Sequence, residues 1–250
     1  MTIMRSVRRL AAVLVLVAPT AAFAAGGHVV LDTAPIDQHD VASLQRGARN
    51  FVSYCLNCHS AQYMRYNRLA DLGLTDQQIK DNLMFASDKV GDPMTIAMKA
   101  KDANKWFGAQ PPDLSVIARS RGADWLYTYL RTYYRDESRP TGWNNIAFPD
   151  VGMPHVLWEL QGLQDLEEEK HGAEGEHGGH AAPKLTLAQA GAMTPKQYDA
   201  FVADLVNYLV YMGEPARLQR TQIGILTLLF LGVLFVFAYL LKKEYWKDVH

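Results

Sequence analysis

Apolar positions along this chain fall into two unbroken runs near its ends and, between them, stretches with helical or loop-like spacing. Leu10 to Val17 form a short apolar core, preceded by Arg5, Arg8 and Arg9 and followed by the small-x-small run Ala22-Phe23-Ala24. That is the layout of a cleavable export leader, and its core is too short to cross a bilayer comfortably. Residues 1–24 are therefore read as a signal peptide. Thr221 to Leu241 differs, because none of its residues is charged. As a helix it would reach roughly 31 Å, enough for a hydrocarbon core of about 30 Å. No polar face interrupts it, so a membrane span is expected rather than a buried core helix. Arg217 and Arg220 precede the run, and Lys242, Lys243 and Lys247 follow it, with Tyr239, Tyr245 and Trp246 at interface depth. Export of the N-terminus would leave residues 242–250 as a cytoplasmic tail, the side that lysines favour.

Residues 25–216 read as one exported domain. Its lead-in, 25–39, is rich in Gly, Ala and Pro. From Asp40, a suitable N-cap, Val41, Leu44, Ala48, Phe51 and Cys55 follow at helical spacing. Gly47 lies inside that helix, where it costs stability unless another backbone packs closely against it. Further helices are expected over 59–70, over Asp76 to Phe85 and over Asp113 to Tyr134. Trp125, Tyr127, Tyr129, Tyr133 and Tyr134 crowd the last of these and are read as core. Residues 140–155, with Pro140, Gly142, Pro149, Gly152 and Pro154, read as a loop. Residues 161–182 hold Glu167-Glu168-Glu169-Lys170 and a Gly/His/Glu tract. They read as a low-complexity, protruding insertion in which His171, His177 and His180 are solvated. Pro195 opens a final helix with an apolar stripe from Tyr198 to Met212, stopped by Gly213 and Pro215.

Composition changes this picture little, except at cysteine. Net charge is −1, so nothing points to nucleic acid. Without the three leader arginines the chain carries −4, and the tail holds +1 of its own, which leaves about −5 outside the membrane. Such a balance suits either a solvated surface or a basic partner drawn by electrostatic steering.

The only two cysteines fall in Cys55-Leu56-Asn57-Cys58-His59. A Cys-x-x-Cys-His run is the attachment signature of c-type haem: two thiols add across vinyl groups and the histidine offers an axial imidazole. Two thiols are too few for a disulfide framework, a Cys₄ zinc site or an iron–sulfur cluster. A thioredoxin-like pair needs no following histidine and expects a βαβ context. Export agrees with haem, since c-type haem is attached outside the cytoplasm. The rigid Pro111-Pro112-Asp113-Leu114-Ser115 segment offers one wall of a haem pocket. The residues alone leave the second axial ligand open among Met153, His155 and no ligand. Met153 suits an electron carrier, because a thioether raises the iron's potential.

Tyr54 to Ser60, Pro111 to Ser115, Arg119 to Gly122, Phe148-Pro149 through Met153-Pro154, and Val206-Asn207-Tyr208-Leu209 through Glu214-Pro215 occur in one order ahead of a single C-terminal span. Together they resemble the cytochrome c₁ family, the haem subunits of cytochrome bc₁ complexes, over nearly the whole mature chain. The resemblance implies a mainly α, class I cytochrome c-like haem domain with long loop insertions and one C-terminal transmembrane helix. It implies one covalently attached haem c, with Cys55 and Cys58 as thioether attachments and His59 and Met153 as axial ligands. Arg121 would pair with a propionate in a buried contact, and Pro112 would line the haem. A C-terminal helix crossing the N-terminal one would account for Gly47. Trp125 stands where many relatives have tyrosine, the loop from Phe148 to Met153 is short, and 161–182 is poorly matched.

The function implied is relay of single electrons from a Rieske iron–sulfur protein to a cytochrome c, beside cytochrome b in a dimeric respiratory complex. The chain would be no enzyme alone, with its haem domain periplasmic on the inner membrane. Rival readings are a haem subunit of another oxidase or dehydrogenase complex and a haem peroxidase with an open distal side.

Overall fold

The computed structural model describes residues 29–167 and 183–248. The expected leader, residues 1–24, and most of the expected insertion lie outside them.

Asp40 caps the first helix, α1 (Val41–Asn50), accepting from the Ser43 amide at 3.0 Å. The chain then tightens into a π-helical turn, Phe51–Cys55, that delivers both cysteines and His59. α1 packs across the long helix α7 (Pro195–Gly213), as the apolar stripes of both helices require. Gly47 sits at the crossing. A Cβ there would lie 2.6 Å from Tyr208 Cβ and closer still to the Asp204 carbonyl oxygen. Arg46 grips Asp204 with two hydrogen bonds of 2.6 and 2.9 Å. Buried Asn207 donates to the Asp37 carbonyl and to Ser43 Oγ, so the lead-in is tied to the same crossing. Phe51, Tyr66, Leu69, Ile79, Val202, Leu205 and Tyr208 fill the core around it.

The start of α7 is held by a capping box. Thr194 Oγ1 accepts from the Gln197 amide, and Gln197 Oε1 accepts from the Thr194 amide at 2.9 Å. Thr194→Ala is expected to cost about 1 kcal/mol, read as a lower unfolding midpoint of the solubilised protein.

Three expectations need correction. Residues 61–65 form a strand, β1 (Ala61–Arg65), and 66–72 a 3₁₀ segment, in place of one helix over 59–70. The Gln62 and Tyr63 amides donate to Asp113 Oδ2 and Ser115 Oγ, so they are not available to an α-helix. The helix expected from Asp113 to Tyr134 is two, α4 (Ile117–Arg121) and α5 (Ala123–Arg131). They break at Gly122, whose φ of +87° is open to glycine but strained for other residues. Its last residues leave as a strand, Tyr133–Arg135, paired with Trp143–Asn145. Finally, the segment from 161 does not begin as a protruding insertion. Gly162–Leu166 pairs antiparallel with Leu185–Ala190, and Arg135 clasps Asp165 at 2.7 and 2.6 Å. The expected helix from Asp76 forms as α2 (Asp76–Leu83), and two short helices, α3 (Ala100–Phe107) and α6 (Trp158–Gln161), add to the expected set.

The terminal helix α8 (Arg217–Tyr245) extends the expected 221–241 span at both ends. Its apolar side chains face outward on every side, Ile223, Leu229, Phe235 and Leu241 among them. Glu214 joins it to the domain, meeting Arg220 at 2.5 Å and Arg119 of α4 at 3.5 Å. The architecture is thus mainly helical, with three two-stranded sheets among the described residues and one long apolar helix.

Candidate functional site

The π-turn ends with the Cys58 and His59 amides both donating to the Cys55 carbonyl, at 3.1 and 2.9 Å. This places two unpaired, half-buried thiols and a buried imidazole on consecutive turns. Burial pushes the Cys55 thiol up to about 12 and lowers the His59 pKa, so a neutral imidazole is favoured at neutral pH. His59 Nδ1 lies 2.7 Å from the Pro112 carbonyl oxygen. A carbonyl can only accept, so Nδ1 carries the proton and Nε2 keeps a lone pair for a metal. Pro112, expected on a pocket wall, also fixes the histidine's tautomer and ring orientation through its carbonyl, as outer partners of metal-bound histidines do.

The Pro112 carbonyl is itself held in place. The Leu114 amide donates to the Ser60 carbonyl at 2.8 Å, Asp113 Oδ1 accepts from the Ser115 amide, and Asp113 Oδ2 and Ser115 Oγ accept from β1. The Pro-Pro-Asp-Leu-Ser run is thus a brace laced to the residues just after His59.

A second cluster gathers around α5. Tyr129 donates a hydrogen bond to Met153 Sδ at 3.4 Å and stacks on Trp125, with ring centroids 4.8 Å apart. Arg121 is exposed rather than buried, with its guanidinium 4.9 Å from the Trp125 ring centre and 5.8 Å from that of Phe148. The Met153 loop is tied down by two buried asparagines that sequence analysis did not single out. Asn145 donates to the Tyr129 carbonyl and accepts from the Phe148 amide, while Asn144 Oδ1 accepts from the Asp150 amide. Asp150 takes a positive φ of 61° there, a conformation that aspartate tolerates better than most residues. Tyr129 likewise reads as core in sequence; no periodicity distinguishes a tyrosine that reaches a sulfur from one that fills space.

His155, the alternative ligand, turns inward. It is 3% exposed, stacked on Tyr133 at 4.7 Å and edge-on to Trp143, and burial lowers its pKa to about 4. It is packed as a core imidazole. α4 connects the two clusters, running from just beyond the brace to Arg121.

The donor set fits a covalently held haem c. It comprises two unpaired thiols three residues apart, a neutral imidazole with its Nε2 lone pair free, and a thioether fixed by a hydrogen bond. Among the described residues no three His, Cys, Asp or Glu side chains converge as a metal site.

The family model described as Cytochrome C1 family matches residues 32–249. A cytochrome c1 of Allochromatium vinosum is 53% identical over 96% of this chain and 98% of that protein. A protein of Nitrosomonas europaea named as an ammonia monooxygenase gamma subunit is 52% identical over 94% of this chain and 96% of its own. A chain of a hyperthermophilic respiratory complex III covers 100% of this chain and 99% of its own at 14% identity and a TM-score of 0.47, too distant to bear on function. With a family model spanning residues 32–249 and a near full-length relative at that identity, the chain belongs to the cytochrome c1 family.

Proposed function

We propose that Cys55 and Cys58 form the two thioether links to a haem c, that His59 and Met153 are its axial ligands, and that Arg121 pairs with a propionate. As a member of its family the chain carries one covalently bound haem c and is an electron-transfer subunit of a respiratory complex III, not an enzyme on its own. Bound haem supplies a one-electron couple. The chain's residues set that couple's working range and hold it still.

His59 is held by the Pro112 carbonyl, so little side-chain motion accompanies a change of charge at the metal. A thioether at Met153 raises the potential to suit a high-potential relay. Arg121, resting on two aromatic rings, presents five donors in a planar fork to a carboxylate.

The immediate donor in this reading is a Rieske iron–sulfur protein, the acceptor a cytochrome c, and the neighbour in the membrane cytochrome b, within a dimeric complex. The domain of residues 25–216 lies in the periplasm, its leader removed after residue 24. α8 crosses the inner membrane and residues 242–250 lie in the cytoplasm. Lys242, Lys243 and Lys247 support that orientation.

The observation that carries the reading is the His59–Pro112 bond directly after the two-thiol turn. A second reading follows from the relative named as an ammonia monooxygenase subunit, in which the same haem domain would serve a monooxygenase. Mild solubilisation and affinity purification of the native complex separate the two. Cytochrome b and a Rieske protein are expected to copurify, with a reduced-minus-oxidised spectrum of low-spin haem c. Recovery with monooxygenase subunits and neither of those partners would overturn the complex III assignment.

A further inference from the structure

We infer that Tyr129 is a positioning residue for the Met153 thioether and, with Tyr133 behind it, tunes the iron's potential through the sulfur; this rests on the reading of Met153 as an axial ligand. Tyr129 Oη lies 3.4 Å from Met153 Sδ, and the Tyr129 and Tyr133 hydroxyls are in direct hydrogen-bond contact.

The direction of the protons follows from burial. Tyr133 is 1% exposed, and its hydroxyl has no partner among the described residues except that of Tyr129. A buried hydroxyl proton left without an acceptor is costly. Tyr133 therefore donates to Tyr129, and Tyr129, its oxygen occupied as acceptor, turns its own proton to the sulfur. The opposite polarity would leave the Tyr133 proton unused and the thioether without a donor. Each donor in such a chain polarises the next.

The pair cannot easily move apart. Tyr129 is stacked on Trp125, with an interplanar angle of 10°, and Tyr133 on His155, with 6°. Asn145 holds the Tyr129 carbonyl at 2.7 Å and Phe148 of the Met153 loop at 3.1 Å, so donor and acceptor backbones share one clamp.

A thioether sulfur has two lone pairs. With one given to a haem iron, the other would accept from Tyr129, and that hydrogen bond would draw density away from the sulfur. Ferric iron needs the sulfur's density more than ferrous iron does, so the bond disfavours the oxidised form and raises the potential. Sulfur is a weak acceptor. The low end of the range for a neutral hydrogen bond corresponds to a change of roughly twofold to threefold in the ratio of oxidation states at a fixed ambient potential.

The test uses purified, solubilised holoprotein in four forms: wild type, Tyr129→Phe, Tyr133→Phe and Met153→Leu. Its readouts are the midpoint potential and the weak sulfur-to-iron charge-transfer band of the ferric spectrum. Phenylalanine at 129 keeps the ring that stacks on Trp125. Tyr129→Phe is expected to retain the band, displaced, with a lower potential, and Tyr133→Phe to move the potential the same way by less. A wild-type band lost in Met153→Leu but unchanged in Tyr129→Phe, with unchanged potential, overturns this inference alone. A wild type with no such band overturns the Met153 ligand reading and this inference with it.

Discussion

Met153→Leu is expected to remove the sulfur-to-iron charge-transfer band, lower the midpoint potential steeply and stop electron uptake from a high-potential donor, while the protein still folds. Leucine nearly matches methionine in volume, and such swaps usually cost less than about 1.5 kcal/mol. The loop around position 153 is held from elsewhere, by Asn144, Asn145 and the Arg139–Asp150 pair at 2.7 Å. What leucine lacks is a lone pair. Axial ligation commands a range of roughly 0.8 V in haem potential, and for a one-electron couple each step of about 59 mV is a factor of ten in the equilibrium constant. Loss of even a quarter of that range would therefore shift the equilibrium constant for electron uptake against the haem by about three orders of magnitude. The measurements are a redox titration and the ferric spectrum of purified variant, with bound haem quantified as a control. A variant with full haem content and the wild-type potential would show that another group completes the coordination. His155 does not suit that role, since its ring is stacked on Tyr133 and edge-on to Trp143.

Much of the domain is legible in the sequence, because its determinants are local. Asp40 as a cap, the stripe from Val41 to Cys55 and the Pro195–Gly213 helix between a proline and a glycine each act within a turn or two of themselves. The cysteine motif is local for the same reason, since one covalent group needs both thiols and the histidine within one turn. The misreadings occur where a distant segment competes for backbone donors. Gln62 and Tyr63 carry no sign that Asp113 and Ser115, some fifty residues on, accept from their amides and hold the chain extended. Gly162 and Leu163 likewise sit beside a run of glutamates, and only their pairing with Gln189 and Ala190 makes them a strand. Gly122 was visible, but whether a glycine continues a helix or breaks it depends on a φ that its neighbours impose. Tyr129 shows the same limit for function. Its spacing from Trp125 and Tyr133 fits a helix face, and its contact with Met153 exists because a separate loop returns beneath it.

Gly47→Ala is expected to destabilise the domain by about 3 kcal/mol or more, against a helix-propensity gain of about 1 kcal/mol. The added methyl would meet Tyr208 Cβ at 2.6 Å and press harder still on the Asp204 carbonyl oxygen. Ordinary contact between such atoms needs about 3.5 Å. Neither obstacle can rotate away, since one is main chain and the other is the first atom of a side chain fixed in the core. The helices would have to part, and with them the Arg46–Asp204 pair and the Asn207 bonds to Asp37 and Ser43. Separation would propagate directly to the cofactor residues, because the π-turn bearing Cys55 continues α1 without a break and Phe51 packs on Tyr208 with ring centroids 5.7 Å apart. A lower thermal midpoint and a smaller yield of haem-loaded protein should therefore appear together. Gly91→Ala is the control, since a Cβ there meets nothing within 4 Å and its φ is not positive, so little change is expected. Equal stability of the Gly47→Ala and wild-type proteins would mean that α1 and α7 do not cross at this separation. In the close crossing described, the glycine lets α7 approach α1 closely enough to seal the core behind the turn that carries Cys55.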